Sequence, residues 1–323
     1  MTEPLVIGID VGGTKLAGVA VRGAEVVATA VRPLDSAALD VQVVALAREL
    51  EGGAGRAAAI GVAAPGQVDV RTGVIEMAVN LAAVRLPIGP LVGGELGVPC
   101  FVEHDARAVA AWLAHQPGAP LDLAYLSVGT GISAGVVIGG RLLRGADGLA
   151  GEVGHLLADP AGPPCACGLV GCLEAIASGP AVARAAALEL AAGVESSLGA
   201  QPEPADVYRA AEADDPLARR LVERAAFHLA AAVRGLALAY GVSRVVVGGG
   251  VTRAGTAFSA PLITALDRER AGSKLARRAM SPGQLDVLDG GRPLGALGAS
   301  AVARQGIATP APAPDPEGEV ALR

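Results

Sequence analysis

The sequence is poor in aromatic side chains, which make up only 2% of its 323 residues. Aromatic platforms that stack nucleic-acid bases are therefore not expected. Basic residues are also few relative to acidic ones, because 26 Lys and Arg stand against 32 Asp and Glu and leave a net charge of −6. A protein that binds nucleic acid usually carries a basic surplus, so this class of partner is not expected.

Long hydrophobic runs are missing as well. Gly, Pro or a charged residue interrupts every apolar stretch before about 18 residues, the length that indicates a membrane-spanning helix. The opening segment, MTEPLVIGID, has no basic region and predicts no signal peptide. We therefore expect a cytoplasmic protein without a membrane partner.

Cysteine is scarce and unevenly placed. Of four cysteines, three fall within eight positions, at Cys165, Cys167 and Cys172. In a reducing compartment such a cluster favours a metal site over disulfides. Together with His155 it makes a Cys₃His set, which is typical of a closed, structural Zn²⁺ site. The alternative is a group of inert buried cysteines and an unrelated histidine.

Small apolar residues are plentiful, since 52% of the chain is hydrophobic and 45 residues are Gly. The length predicts about two domains, each with a closely packed core. Apolar runs at Leu5–Asp10 and Leu16–Val21 flank a Gly-rich turn and predict a hairpin. Further along, strand Cys100–Glu103 is followed by a helix that begins near Asp105 and ends near His115.

The chain contains an internal repeat. A shift of 117 positions places Val11-Gly12-Gly13-Thr14 over Val128-Gly129-Thr130-Gly131, and Gly18 over Gly135, without a gap. Such a long period indicates duplication of a lobe rather than a solenoid. Two hairpins with Gly/Thr turns could hold one polyphosphate from both sides. The alternative is a chance likeness between two Gly-rich hairpins.

The first of these turns reads Asp10-x-Gly-Gly-Thr-Lys15. It is not a Walker motif, because a strand follows it where a P-loop has a helix. Consecutive glycines still let backbone N–H groups approach phosphate oxygens. Asp10 could hold Mg²⁺ through water, and Thr14 adds a hydroxyl donor. An ordinary hairpin turn is the alternative.

Asp105 is the candidate general base, because it follows a buried strand at the start of a helix. A kinase needs a base that takes the proton of the attacking hydroxyl. The alternative is a carboxylate that only caps the helix.

Four motifs occur in a fixed order: Asp10-x-Gly-Gly-Thr-Lys15, Val128-Gly129-Thr130-Gly131, Glu152-Val153-Gly154-His155 and Gly168-x-x-Gly171-Cys172-x-Glu174. In this order they resemble the ROK family (repressors, open reading frames and sugar kinases) of the actin-like ATPase superfamily. The likeness runs from about residue 5 to 305 and is most specific between Gly129 and Glu174. It implies an α/β, two-lobed actin/hexokinase-like (ribonuclease H-like) ATPase fold with a cleft between the lobes, and transfer of the γ-phosphoryl group of ATP to a hexose hydroxyl.

The resemblance also implies a domain plan and a homodimer, the common state in the family. Residues 1–118 form a small lobe that a C-terminal helix, about 293–307, completes. Residues 119–292 form a large lobe with a zinc-binding loop. The segment 308–323 is rich in Pro, Ala and acidic residues and predicts a disordered tail.

The site residues follow from the same resemblance. Asp105 is the catalytic base, and the hexose contacts are Gly66, Asn80, His104, Asp105, Glu152, His155 and Glu174. ATP and its Mg²⁺ are assigned to Asp10, Gly12, Gly13, Thr14, Lys15, Gly129, Thr130, Gly131, Gly248, Gly249 and Gly250. The ligands of a structural Zn²⁺ are His155, Cys165, Cys167 and Cys172.

The chain departs from the family beside the base, where Asn-Asp-Ala-Asn is replaced by His104-Asp105-Ala106-Arg107. Glucose-specific relatives also show Gly-Trp where Leu-Ala-Ala-Val-Arg follows Asn80 here. The sugar is therefore open: glucose phosphorylated at its 6-hydroxyl is the first expectation, and kanosamine or N-acetylmannosamine the alternative.

Two other classes are weaker alternatives. A sugar-responsive regulator of the family needs a helix-turn-helix segment before the first lobe, yet only four residues precede Leu5. A non-catalytic sugar sensor would have no need of both Asp10 and Asp105.

Overall fold

The computed structural model describes residues 3–78, 81, 83–281 and 283–308. The candidate sugar contact Asn80 and the predicted tail after Ala308 lie outside these residues. The described chain divides into two compact units, one made of the residues up to Glu103 together with those from Ala299, and the other of His104–Gly298. The boundary after Glu103 lies before the predicted lobe boundary at residue 118, because the helix Asp105–Ala114 packs on the sheet of the second unit.

The first unit is built on two sheets. Its elements up to the end of the last strand are β1 Leu5–Val11, β2 Lys15–Arg22, β3 Glu25–Pro33, α1 Leu39–Ala54, β4 Ala59–Ala64, β5 Gln67–Asp69, β6 Val74–Ala78, β7 Ala83–Leu86, α2 Ile88–Leu96 and β8 Cys100–His104. The larger sheet has the strand order β3-β2-β1-β4-β8, and β5-β6-β7 form the smaller one. The core packs α1 and α2 against β1, β2 and β4, mostly through Ala, Val, Leu and Ile.

The second unit repeats this plan with more helices. Its elements are α3 Asp105–Ala114, β9 Leu123–Val128, β10 Ile132–Ile138, β11 Arg141–Leu142, α4 Leu173–Ala177, α5 Gly179–Ala191, α6 Pro204–Glu212, α7 Pro216–Tyr240, β12 Arg244–Gly248, α8 Thr256–Gly272, α9 Lys274–Ala279, β13 Leu285–Val287 and α10 Leu294–Ala308, which ends in the first unit. The sheet order is β11-β10-β9-β12-β13. One face packs against α4 to α8 and the other against α3.

The two predicted hairpins are confirmed, but their registers differ by one residue. Val11 pairs with Leu16 across the first turn, whereas Val128 pairs with Ile132 across the second. The second turn is therefore one residue shorter, and the gapless shift of 117 does not continue past it. Gly135 nevertheless lets α3 pack closely on β10, because a Cβ there would lie 2.4 Å from the carbonyl oxygen of Ala106.

Helix ends follow local signals. The sequence predicts helical stretches from Pro180 to about Leu198 and from Pro216 to Tyr240. The second is confirmed as α7, with Asp215 capping its start and Gly241 at φ +64° ending it. The helix expected from Pro180 to about Leu198 ends earlier, at Ala191, because the chain turns at Gly193 with φ +87°. Among the described residues, no helix is both long and apolar enough to cross a membrane.

Candidate active site

Asp105 lies where β8 ends and α3 begins. It is the first residue of the helix, and its side chain is 34% exposed. Its Oδ1 atom accepts a hydrogen bond from the Ala106 N–H at 2.5 Å and lies 3.5 Å from the Ser133 hydroxyl of β10. The N-cap position is taken by His104, whose side chain makes no capping bond. The interpretation of Asp105 as a plain N-cap is therefore wrong, because the carboxylate lies one residue inside the helix.

His104 brings two carboxylates together. Its side chain is only 4% exposed, and its Nε2 atom lies 3.3 Å from Asp105 Oδ1 and 3.5 Å from Glu152 Oε1. Glu152 Oε2 in turn lies 4.0 Å from His155 Nε2. Four of the predicted sugar contacts therefore form one connected group. The same imidazole nitrogen therefore faces both acids.

The segment that carries Glu152 is held against β10 by two glycines. Gly151 has φ +103°, and a Cβ there would lie 1.9 Å from the carbonyl oxygen of Ala134. A Cβ on Gly154 would lie 2.1 Å from the carbonyl oxygen of Ile132. Any larger residue would push the backbone away from the strand. These glycines fix the position of Glu152. Gly154 belongs to the motif Glu152-Val153-Gly154-His155, whereas Gly151 lies outside the sequence motifs.

Glu174 is bound to the turn between β9 and β10. Its Oε2 atom accepts a hydrogen bond of 2.8 Å from the Ile132 N–H. A Cβ at Gly131 would lie 2.6 Å from that same oxygen. Because Glu174 lies in the first turn of α4, two residues after Cys172, it joins the predicted phosphate turn to the predicted zinc loop. Its role as a sugar contact stays a prediction.

The second unit holds one open pocket next to the predicted phosphate turn. Its volume is about 840 Å³, within the range of small-molecule and cofactor sites. Gly129, Thr130 and Gly250 line it, together with residues of α5, α6 and the segment before α8. Gly249 has φ +104°, and a Cβ there would lie 2.5 Å from the Val128 carbonyl oxygen, so the two Gly-rich turns touch.

The pocket walls carry arginines that our sequence analysis missed. Arg184, Arg209 and Arg253 line the pocket from α5, α6 and the segment after β12. They lie far apart in the sequence, and no motif connects them. Tyr208 also lines the pocket, but it is 3% exposed and its ring packs at 6.2 Å from that of Phe258. Aliphatic, guanidinium and carboxylate side chains therefore line the pocket, and Tyr208 exposes little of its ring to it.

The remaining candidates belong to the first unit. Asp10 lies in β1 and pairs with Ala17, and the N–H of Gly12 donates to the Lys15 carbonyl at 3.0 Å, which closes a tight turn. The turn includes Gly13 and Thr14. Gly66 follows β4 with φ +84°, and a Cβ there would lie 2.2 Å from the Met77 carbonyl oxygen. The turn at Gly66 therefore needs glycine for its shape, whereas a Cβ at Gly13 would meet no atom within 4 Å.

The four predicted zinc ligands lie together. The ligand atoms of His155, Cys165, Cys167 and Cys172 all fall within 4.8 Å of one another. Cys167 Sγ lies 3.7 Å from Cys172 Sγ, and Cys165 Sγ lies 3.7 Å from His155 Nδ1. In a regular tetrahedron, Zn–S bonds of about 2.3 Å separate neighbouring sulfurs by about 3.8 Å. The donor set and its spacing therefore fit a structural Zn²⁺.

The thiols of this cluster differ in acidity. A hydrogen bond from the Leu169 backbone lowers the pKa of Cys167. Burial raises the pKa of Cys172 to about 12, and the neighbouring thiols add to the effect. A bound cation is what would release the protons from such crowded thiols. Because Nδ1 of His155 faces Cys165, its Nε2 is the atom that faces Glu152. A carboxylate beside the second nitrogen of a metal-binding histidine orients the ring.

Comparison with known proteins identifies the family of the chain. The ROK family model matches residues 6–305. A glucokinase of Halalkalibacterium halodurans is 35% identical over 213 residues, which cover 63% of this chain and 64% of that protein. An N-acetylmannosamine kinase of Escherichia coli is 39% identical over 170 residues, which cover 52% of this chain and 55% of that protein.

A ROK family glucokinase from Streptomyces griseus, solved in complex with glucose and AMPPNP, is structurally similar. It is 29% identical, has a TM-score of 0.81, and the match covers 94% of this chain and all of that one. The α/β, two-lobed fold class is confirmed by this likeness. The chain belongs to the ROK family.

Proposed function

We propose that this ROK protein is an ATP-dependent hexose kinase that transfers the γ-phosphoryl group of ATP to the 6-hydroxyl of glucose or a glucose-like sugar. The observation that carries the proposal is the start of β10. There the Ile132 N–H contacts Glu174 beside the phosphate turn, and the Ser133 hydroxyl lies next to Asp105. The candidate base and the nucleotide pocket are thus joined by two adjacent residues.

In the proposed reaction, the Asp105 carboxylate accepts the proton of the 6-hydroxyl as that oxygen forms its bond to the γ-phosphorus. The bond between the γ-phosphorus and the bridging oxygen breaks, and ADP leaves with the electron pair. Glu152 and Glu174 suit neighbouring sugar hydroxyls, because a carboxylate accepts two hydrogen bonds in a fixed geometry. Gly66, Asn80, His104 and His155 complete the proposed sugar contacts.

The nucleotide would be held by backbone N–H groups of Gly12, Gly13, Gly129 and Gly131, with hydroxyls from Thr14 and Thr130, Lys15 near the phosphates, and Gly248–Gly250 beside the adenosine. Mg²⁺ would neutralise phosphate charge and be held through water by Asp10. Zn²⁺ at His155 and the three cysteines would fix the loop between Glu152 and Glu174 and take no part in the transfer. Thiolate ligands suit a reducing compartment, which supports a cytoplasmic location.

The second candidate substrate is an amino sugar, N-acetylmannosamine or kanosamine. Two observations favour it: His104 departs from the Asn of the family pattern that this chain resembles, and an N-acetylmannosamine kinase is among the relatives. A larger substituent on the sugar ring requires different hydrogen-bond partners from those of glucose.

A coupled assay of ADP release over glucose, mannose, kanosamine and N-acetylmannosamine decides between these substrates. The proposal expects the highest kcat/KM with glucose, and the alternative expects it with an amino sugar. ADP release with no sugar in the panel would contradict both. We further propose a homodimer, which the molar mass measured by light scattering after gel filtration tests.

A further inference from the structure

Arg107 is a buried charged residue two positions after the candidate base. It lies in the first turn of α3 and is 0% exposed, and among the described residues it is the largest fully buried side chain. A guanidinium group without access to water must have its charge and donors satisfied by the protein. The contacts of Arg107 therefore indicate its role.

The guanidinium contacts the segment that leads to Glu152. Nη1 donates hydrogen bonds to the carbonyl oxygens of Gly148 at 2.7 Å and of Ala150 at 3.1 Å. The segment is also held from the other side, where the Ala134 N–H donates to the Gly151 carbonyl at 2.7 Å. Glu152 follows at once. It is thus connected both to β10 and, through Arg107, to α3.

We propose that Arg107 is a positioning residue that sets the distance between the base Asp105 and the sugar-facing carboxylate Glu152. The two ends of this connection lie next to the two acids. Arg107 shares the first turn of α3 with Asp105, and its hydrogen bonds end at Gly148 and Ala150, just before Glu152. The asparagine that the family pattern has at this position has a side chain about three bonds shorter than that of arginine. The inference deepens the proposed function and rests on it.

The hydrogen bonds of Arg107 to Gly148 and Ala150 predict a specific kinetic effect. Without them, Glu152 samples more positions, and the sugar loses a hydrogen-bond partner that is already in place. The KM for the sugar should rise and the KM for ATP should not, because the nucleotide pocket is lined by other elements. A general loss of folding would change both constants.

The test uses the full-length, zinc-loaded protein and two variants, Arg107→Gln and Arg107→Lys. Hydrogen exchange of peptides covering residues 146–152 reports the segment directly and needs no activity. We expect Arg107→Gln to exchange there at least about tenfold faster, as expected from the loss of hydrogen bonds to a charged donor. The sugar KM should rise by a similar factor, with zinc content unchanged. Arg107→Lys, which keeps a charged donor, should fall between Arg107→Gln and the wild type. The control is Arg219→Gln, which removes exposed ion pairs on α7 and should match the wild type.

Unchanged exchange in a folded Arg107→Gln protein would overturn the inference, as would an equal rise of both KM values. Failure of both Arg107 variants to fold would also overturn it, because Arg107 would then support the whole unit rather than position one segment. If the wild type phosphorylates no hexose, the proposed function fails, while the exchange result still decides whether Arg107 holds the segment.

Discussion

The Nε2 atom of His104 and the Oε1 atom of Glu152 lie 3.5 Å apart, in a side-chain environment that leaves the imidazole only 4% exposed. The same nitrogen lies 3.3 Å from Asp105 Oδ1. His104 therefore reaches the site through one edge of its ring, and that edge is directed at both acids. Any sugar hydroxyl that binds Glu152 or Asp105 must share this space.

His104 should accordingly affect the choice of sugar. We expect His104→Asn to raise kcat/KM for glucose relative to the other hexoses by about tenfold or more, because one hydrogen bond to a charged partner contributes on the order of 1.5–3 kcal/mol. The KM for ATP should hardly move. His228→Asn, in the middle of α7, is the matched control. An unchanged sugar profile combined with weaker ATP binding would show that His104 does not determine specificity.

The Asp105 carboxylate should be required for turnover but not for folding. Asp105→Asn keeps the size of the side chain and removes its basicity, so kcat should fall by at least about 100-fold, the low end for a positioned general base. Melting temperature and zinc content should match the wild type. Turnover within a few-fold of wild type would place the base elsewhere.

Zinc should copurify with the protein. Metal analysis of protein prepared without added zinc should find close to one Zn²⁺ per chain. Cys167→Ser should lose the metal and melt at a lower temperature, because a structural zinc contributes directly to folding. Cys100→Ala, a cysteine outside the cluster, should keep the zinc. A protein that is fully active without metal would contradict this role.

Because Asp215 caps α7, the stability of the protein should fall when its carboxylate is protonated at acid pH. Burial would raise the pKa of its carboxyl, but the N–H groups of Ala218 and Ser197 and the hydroxyls of Ser196 and Ser197 outweigh it and lower the pKa to about 2. A carboxyl with a lowered pKa stabilises the fold above its ordinary value, near 3.8 here, and loses that contribution as the pH falls toward 2.

We therefore expect Asp215→Asn to destabilise the protein at pH 7 by about 1–2 kcal/mol, the range for a lost helix cap. The difference from wild type should shrink below pH 4. Denaturant unfolding of both proteins across pH 2–7 measures it. Asp214→Asn is the control, because Asp214 is the residue before Asp215 and its side chain is exposed. A difference that stays constant down to pH 2 would contradict the assignment.

Much of the fold could be predicted because its signals are local. The hairpin at Asp10–Lys15, the helix Pro216–Tyr240 and the zinc ligands each depend on residues close in sequence. The features that could not be predicted depend on tertiary contact. The contact of Arg107 with Gly148 and Ala150, for example, joins residues about 40 positions apart.

The same limit applies to the arginines of the pocket beside the turn at residues 129–131 and to the register of the second hairpin. Arg184 and Arg253 come together only after α5 and the segment following β12 have packed. The shorter turn between Val128 and Ile132 leaves no trace in a gapless comparison of the two copies.

We propose that the protein moves a phosphoryl group from ATP to the 6-hydroxyl of a hexose, with Asp105 as the base. Phosphorus and proton NMR of a reaction containing glucose, ATP and Mg²⁺ identifies the phosphorylated position directly. We expect the wild type to form ADP and a single product phosphorylated at C6. Asp105→Asn should form the same product at least about 100 times more slowly. Phosphorylation at another hydroxyl, or the same product rate from both proteins, would contradict it.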